Sequence, residues 1–474
     1  MAKTSHSSLV SRLDALYEYD REPVTQKDLH GWKIFWATFA GEHIAGTEFV
    51  IGPLFVLHGC SATAVLLGLF IGNLLAVLSW AFVCAPVAVR TRLTIYWQIR
   101  RLGGPWLTVA YSAVYGVILC VLAGSMLRVS MTSLALPLQH GFGTADLPQW
   151  TWALLALGVG SVIAVLAVLG FEGMAIFSKM SAPWMVIVFF VSAIATLPLL
   201  GCASLSDFWR VANEQIWTGV TALDPSTGKH FAHYTIWHVI GFAWLCNMPQ
   251  HFGMADLTIL RYARKWQMGF CSAAGMYLGH YCAWIASGIL CAAAIKQGIL
   301  PSPGPIAYLG AGLTGAICVV VAGWNVASPT LYRAGLALQV ATPNWSRWRV
   351  TLVVGAAMIV CACIPALLAH LDLLLTTNAL LLLPLGAFIF IDLWLFPKLG
   401  LRSNYAEHTR SPISWPAGAA WLLSMVISVI AFSRGADPIF LVLPEWIVAV
   451  TLYVAFSALQ QKLRPAPVPA AASV

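Results

Sequence analysis

Two apolar stretches of this chain carry more ionisable and amide side chains than a lipid-facing helix tolerates. The first, WATFAGEHIAGTEFVIGPLFVL, holds Glu42, His43, Thr47 and Glu48 among Gly41, Gly46, Gly52 and Pro53. The second, IGFAWLCNMPQHFGMADLTILRYARK, holds Asn247, Gln250, His251 and Asp256 beside Gly241, Pro249 and Gly253. Ionisable groups in hydrocarbon are costly and by default mark ion or substrate paths. Gly and Pro at this density break helices, and the freed carbonyls ligate a cation where they line a cavity. The chemistry on offer is binding: oxygens for a cation, and Glu42, His43 and Glu48 for a proton. Glu42 and His43 are adjacent and point about 100° apart on a helix, so only one need face a cavity. Hydrogen bonding of Glu48 to a neighbouring helix is the plain alternative.

No GxSxG, HExxH, phosphate loop or paired-carboxylate motif accompanies these residues, so no enzyme is expected. His230, His233 and His238 have loose metal-like spacing but no Cys or carboxylate cluster, which favours an ordinary loop. No metal ligand set and no cofactor is expected, apart from a coupling ion, H⁺ or Na⁺.

The composition says where such residues must work. Of 474 residues 59% are hydrophobic and only 9% charged. A soluble protein is about a quarter charged. A soluble enzyme and a disordered chain are therefore both excluded. A net charge of +8 belongs to membrane topology rather than to nucleic acid. Eleven Cys, without a CxxC pair, read as small buried hydrophobes. The polar first 30 residues do not look like a cleaved leader.

Apolar runs fall at 31–57, 61–88, 105–133, 150–170, 173–200, 234–260, 267–296, 305–339, 348–370, 372–396, 413–433 and 438–460. They predict an all-α integral membrane protein with twelve spans. With both termini inside, 21 of the 26 Lys and Arg, Arg333 among them, fall on the inner side and 5 outside. This places the protein in the plasma membrane, or in the inner membrane of a bacterium, with cytoplasmic ends. Loop 89–104 is basic and aromatic and predicts a short amphipathic helix.

Two broken helices five spans apart predict a five-plus-five inverted repeat. The expected organisation is a tail over 1–30, a first repeat over 31–200 and an extracytoplasmic loop over 201–233. A second repeat over 234–396, two further helices over 413–460 and a disordered tail over 461–474 complete it. Asp256 is expected near the inner end of its span, paired with Arg261 or Arg264 as a gate or structural bridge. Asp392 is expected to be structural.

Several patches resemble one family. The eighth span, GWNVASPTLYRAGLAL, is similar to the W-T-T-N-D-N-A-L-Y-A-S-G-L stretch of bacterial cytosine permease, matching at Trp324, Leu331, Tyr332, Gly335 and Leu336. The tenth, LLPLGAFIFIDLW, is similar to I-P-P-V-G-G-V-I-I-A-D-Y at Pro384, Gly386, Ile389 and Asp392. GLFIGNLLAV in the second span, ADLTILRYARK at the end of the sixth and ISWPAGAAW before the eleventh follow in the family's order. The chain thus resembles the nucleobase–cation symporters, which include cytosine, purine, allantoin and hydantoin permeases.

The resemblance implies a flat heterocycle stacked between aromatics of the third and sixth spans and bonded by amides. These positions fall on Tyr115, with Tyr111 as fallback, and on Trp244, with Phe242 as alternative. Asn247, Gln250 and Asn325 supply amides beside Glu42, His43 and Glu48. Ion coupling would fall to Glu42, Glu48, Asn325 and Ser328. The family's sodium-ligating Thr pair is replaced by Asn325-Val326, and its N-D-N by Ala327-Ser328-Pro329. The expectation is therefore import of a small planar heterocycle with H⁺ favoured over Na⁺. The expected partners are a small solute and the bilayer, not nucleic acid; a monomer is one of the open oligomeric states. Symport of an amino acid or osmolyte on the same fold stays open. A channel or a membrane sensor is the rival of another class.

Overall fold

The computed structural model describes residues 21–464 apart from 143–146, 225–227 and 343. The expectations for residues 1–20 and for the Pro/Ala-rich tail from 465 lie outside the described residues. The chain is almost entirely helical. Among the described residues, nine helices are long and apolar enough to cross a membrane. Three further segments, two of them broken, bring the tally into line with twelve apolar runs.

The first run is two helices, α1 (Trp32–His43) and α2 (Glu48–Leu57). Between them Ile44 leaves helical geometry, with ψ at 72°. α3 (Ala62–Thr91) contains a widened π turn at Trp80–Cys84. The expected amphipathic helix is α4 (Ile95–Gly103), started by Thr94, whose hydroxyl accepts from the Trp97 amide. It is anchored inward: the Tyr96 hydroxyl donates to the Arg333 carbonyl. α5 (Pro105–Phe142), α6 (Gln149–Val168) and α7 (Gly170–Thr196) follow.

The sixth run is three short pieces, α8 (Ile236–Leu245), α9 (Met248–His251) and α10 (Leu257–Leu260). Between the last two, buried Met254 has a φ of +63°, a left-handed conformation rare outside Gly. α11 (Trp266–Lys296) has its own π turn at Ala274–Tyr281. α12 (Pro303–Gln339) is interrupted at Ala311 and Gly312, so its straight portion starts after residue 312. α13 (Arg347–Ala362), α14 (Leu371–Trp394), α15 (Trp415–Ser433) and α16 (Pro438–Leu463) are the remaining long helices.

Each half of the first run has a different support. α1 packs on α7 and on the π turn of α11, whereas α2 packs on the later part of α11. α8 lies along α3, and α5 runs along α12. The break in the sixth run is crossed by α14, where Gly386 approaches the backbone of Phe252 and Gly253. Any Cβ at Gly386 would strike that backbone, which cannot rotate away as a side chain can. Overpacking of this kind costs about 1–3 kcal/mol. Gly386→Ala is expected to lower the thermal midpoint of the purified protein; an unchanged midpoint would contradict the close crossing.

Candidate functional site

Arg333 lies in α12 with its side chain only 2% exposed. A guanidinium cannot shed its charge, so burial demands anionic partners. The two breaks supply them. Arg333 Nη1 donates to Glu42 Oε1 at 2.6 Å and Nη2 to Glu42 Oε2 at 3.2 Å. Nη2 also donates to Asp256 Oδ1 at 2.6 Å. The other Asp256 oxygen accepts from the indole of Trp80, at the head of the π turn in α3, at 2.7 Å. One cation thus joins α12 to the end of α1 and to the segment before α10.

A second polar cluster lies past the first break. Glu48 opens α2, and Thr47 donates to its Oε1 at 3.2 Å. The Trp284 indole donates to its Oε2. His280, from the π turn of α11, stacks on Trp284 with ring centres 4.1 Å apart and brings its Nε2 to 3.9 Å from Glu48. Asn247, in the second break, has its amide nitrogen 3.5 Å from the His280 ring. His43 connects the clusters, its ring centre 5.1 Å from His280 and 5.7 Å from Trp80. His251 approaches Trp80 from the other side at 4.8 Å. A π turn adds a residue to a helix and re-aims the side chains on it, and such turns recur at functional sites. Here the two π turns deliver Trp80 and His280.

The residues singled out in sequence divide by environment. Glu42, His43, Glu48, Asn247 and Asp256 lie in or between these clusters. Tyr115 and Trp244 do not meet: no ring contact joins them among the described residues. Tyr115 packs with Tyr111 and Tyr96, at 5.6 and 6.3 Å, on the α5 side of Arg333. The Trp244 indole donates to Ser79 and its ring abuts Phe252. Phe242 instead lies 6.0 Å from Trp284, beside the Glu48 cluster. Gln250 is half-buried, and its carbonyl oxygen has no hydrogen-bond partner among the described residues.

Asn325 and Ser328 line a narrow crevice with Thr38, Glu42, Ser178 and Trp324. Their bonds are largely internal. Asn325 accepts from Ser178 and donates to Ser181, and Ser328 donates to the Trp324 carbonyl. Arg261 is buried and donates to the hydroxyls of Tyr262 and Tyr332. Asp392 accepts from the Asn404 amide and the Tyr453 hydroxyl, tying α14 to α16.

Three features differ from expectation. Asp256 is wholly buried, and Arg333 is a charge partner that the sequence reading did not give it. Arg333 is not an inner-loop charge and drops out of the topological count. Trp80, His280 and Trp284 escaped notice because their spans hold no acid beside the Gly and Pro that mark a break. An ionisable residue in the run CSAAGMYLGHYCAWIASG was the available signal for His280.

Removing Arg333 alone would strand two buried carboxylates, a loss of about 3–5 kcal/mol. Arg333→Met is therefore expected to melt well below the parent protein. The triple variant Glu42→Gln, Asp256→Asn, Arg333→Met is expected to recover much of that loss. Equal melting of the parent and Arg333→Met would refute the buried knot.

No family model and no curated protein sequence matches the chain. Its fold matches solved structures. One is Mhp1, a nucleobase-cation-symport-1 family transporter, in a closed conformation with bromovinylhydantoin bound. That match has a TM-score of 0.69 and 14% identity, over 96% of this chain and 98% of that one. A Na⁺-coupled sialic acid symporter, in a substrate-bound outward-open state, matches with a TM-score of 0.62 and 11% identity over 96% of both chains. MhsT in complex with L-phenylalanine matches at 0.54 and 16%, over 92% of this chain and 99% of that one. The chain therefore has an all-helical transporter fold, similar to that of Mhp1.

Proposed function

We propose that this protein is a secondary active symporter of the nucleobase–cation class, importing a small planar heterocycle with H⁺ as the coupling ion. It performs no covalent chemistry. The observation that carries the reading is the pairing of two broken helices around buried charge in the middle of a transporter fold. Half-helix ends and unwound backbone are where such folds hold cargo and ion.

The ring-rich centre supports a flat solute. Trp284, His280, His43 and Phe242 offer faces, while Asn247 and Gln250 offer amide donors and acceptors for the edge of a heterocycle. Glu48 supports the proton. Among the described residues, the basic side chain within ion-pair distance of Glu48 is His280, and His280 is a cation only when it holds a proton. Glu42, by contrast, is already neutralised by Arg333. A metal cation at the α1–α12 crevice would have to compete with that fixed guanidinium for Glu42, and Asn325 and Ser328 alone form a thin ligand set. The knot of Glu42, Arg333 and Asp256 then serves as a gate beside the breaks, in the half of the bundle that holds α1 and the C-terminal part of α12 and that the N-in orientation makes cytoplasmic. The proposed organisation keeps two inverted five-helix repeats, with α15 and α16 outside them.

Purified protein in proteoliposomes is expected to accumulate a member of a panel of nucleobases, hydantoins and allantoin under an inward H⁺ gradient. Replacing Na⁺ should leave uptake intact, and a protonophore should abolish it. Glu48→Gln should cut gradient-driven accumulation at least ~10-fold, equivalent to about 1.4 kcal/mol of coupling, while sparing solute counterflow. Strict Na⁺ dependence would overturn the proton assignment. Uptake of amino acids alone would overturn the heterocycle.

A further inference from the structure

The geometry points to a second binding site, remote from the two breaks, for a membrane-dissolved amphiphile bearing a primary ammonium group. Its centre is Glu445 in α16. Glu445 is 2% exposed, and neither carboxyl oxygen has a hydrogen-bond partner among the described residues. The side chain lines a narrow crevice of ≈ 150 Å³ between α14, α15 and α16. Leu381, Met425 and Phe432 form its apolar walls, and Ser428 is the hydroxyl next to the carboxyl.

An intramembrane carboxyl is costly unless paired, and among the described residues this one has no counter-charge within ion-pair distance. The mouth opens on the outer face of the bundle: Leu373, Val429 and Phe432 at the crevice are 48%, 65% and 50% exposed. On a transmembrane bundle that face meets lipid rather than water, so the ligand arrives through the bilayer. The walls of the crevice accept an alkyl or aryl body, and its one strongly polar group accepts N–H donors. An ammonium supplies three such donors and the opposite charge. A fatty acid or an alcohol fits the walls but leaves the carboxylate without a counter-charge. The same ammonium could belong to a free lipophilic amine or to an ethanolamine headgroup.

The full-length protein in phosphatidylcholine nanodiscs, photolabelled with a diazirine-bearing dodecylamine, tests this. Peptide mapping is expected to find saturable labelling within α14, α15 and α16 around Leu381, Met425 and Glu445. Excess dodecylamine should displace the probe. The matching diazirine dodecanol should label at least ~10-fold less, the ratio that about 1.4 kcal/mol of ion pairing gives. Glu445→Gln should lower amine labelling to the alcohol's level. Met425→Trp, which fills the crevice and leaves the carboxyl in place, should do the same and decides the matter if Glu445→Gln fails to fold. Loss of labelling in nanodiscs containing phosphatidylethanolamine would identify the headgroup as occupant, whereas retention would identify the free amine. Equal labelling by amine and alcohol, or amine labelling indifferent to both substitutions, would overturn the site.

Discussion

A guanidinium buried in the middle of a helical bundle must be balanced, and the balancing of Arg333 organises this molecule. Its two acidic partners come from segments more than two hundred residues apart, and each sits where a helix has been interrupted. Glu42 is one residue from the end of α1, and Asp256 lies between α9 and α10. The breaks in the first and sixth runs are thus linked through α12. A continuous helix at either place would carry its acid on a fixed face. The interruption allows the carboxylates to converge. Trp80 adds the donor that Asp256 still needs, and a π turn in α3 presents it.

The same constraint divides the titratable groups into two kinds. Glu42 and Asp256 share a permanent cation. Glu48, beyond the break, has His280 and neutral donors, so its charge balance changes with a proton. His43 and Trp80 lie between the two sets, and through them rearrangement of one cluster reaches the other by direct ring contact. A change in the charge at Glu48 is thereby connected to the packing around the knot. Neutral aromatic and amide groups surround both sets, an environment that suits the uncharged planar solute proposed above.

Periodicity and composition were enough to read the helical class, the apolar segments and the two breaks, because burial in lipid leaves a long and redundant imprint. The amphipathic α4 was visible for the same reason, although its Tyr96 turned out to reach inward to α12. The site was legible only where an acid stood beside Gly or Pro. Arg333 was hidden because an arginine near the end of a span looks like a topological charge, and only three-dimensional contact identifies it as a core group. Trp80 and His280 were hidden because a π turn is a local change in hydrogen bonding with no residue signature. The resemblance to a permease placed aromatics at Tyr115 and Trp244; in the fold Tyr115 packs with Tyr111 and Tyr96, Trp244 bonds to Ser79, and Phe242 lies against Trp284 beside Glu48. Gly386, read only as part of a motif, has a physical reason: α14 crosses the broken sixth run there at backbone distance.

The central claim is that the Arg333 knot closes the proposed path on one side of the breaks and must open during each cycle. Cys84 is a native reporter, fully buried and within electrostatic reach of both Asp256 and Arg333. The most direct measurement is its rate of modification by a water-soluble maleimide in proteoliposomes, read on the Cys84 peptide by mass spectrometry. The rate should be low without solute and should rise when solute and a proton gradient drive turnover. Sustained uptake with Cys84 still unreactive would contradict the claim.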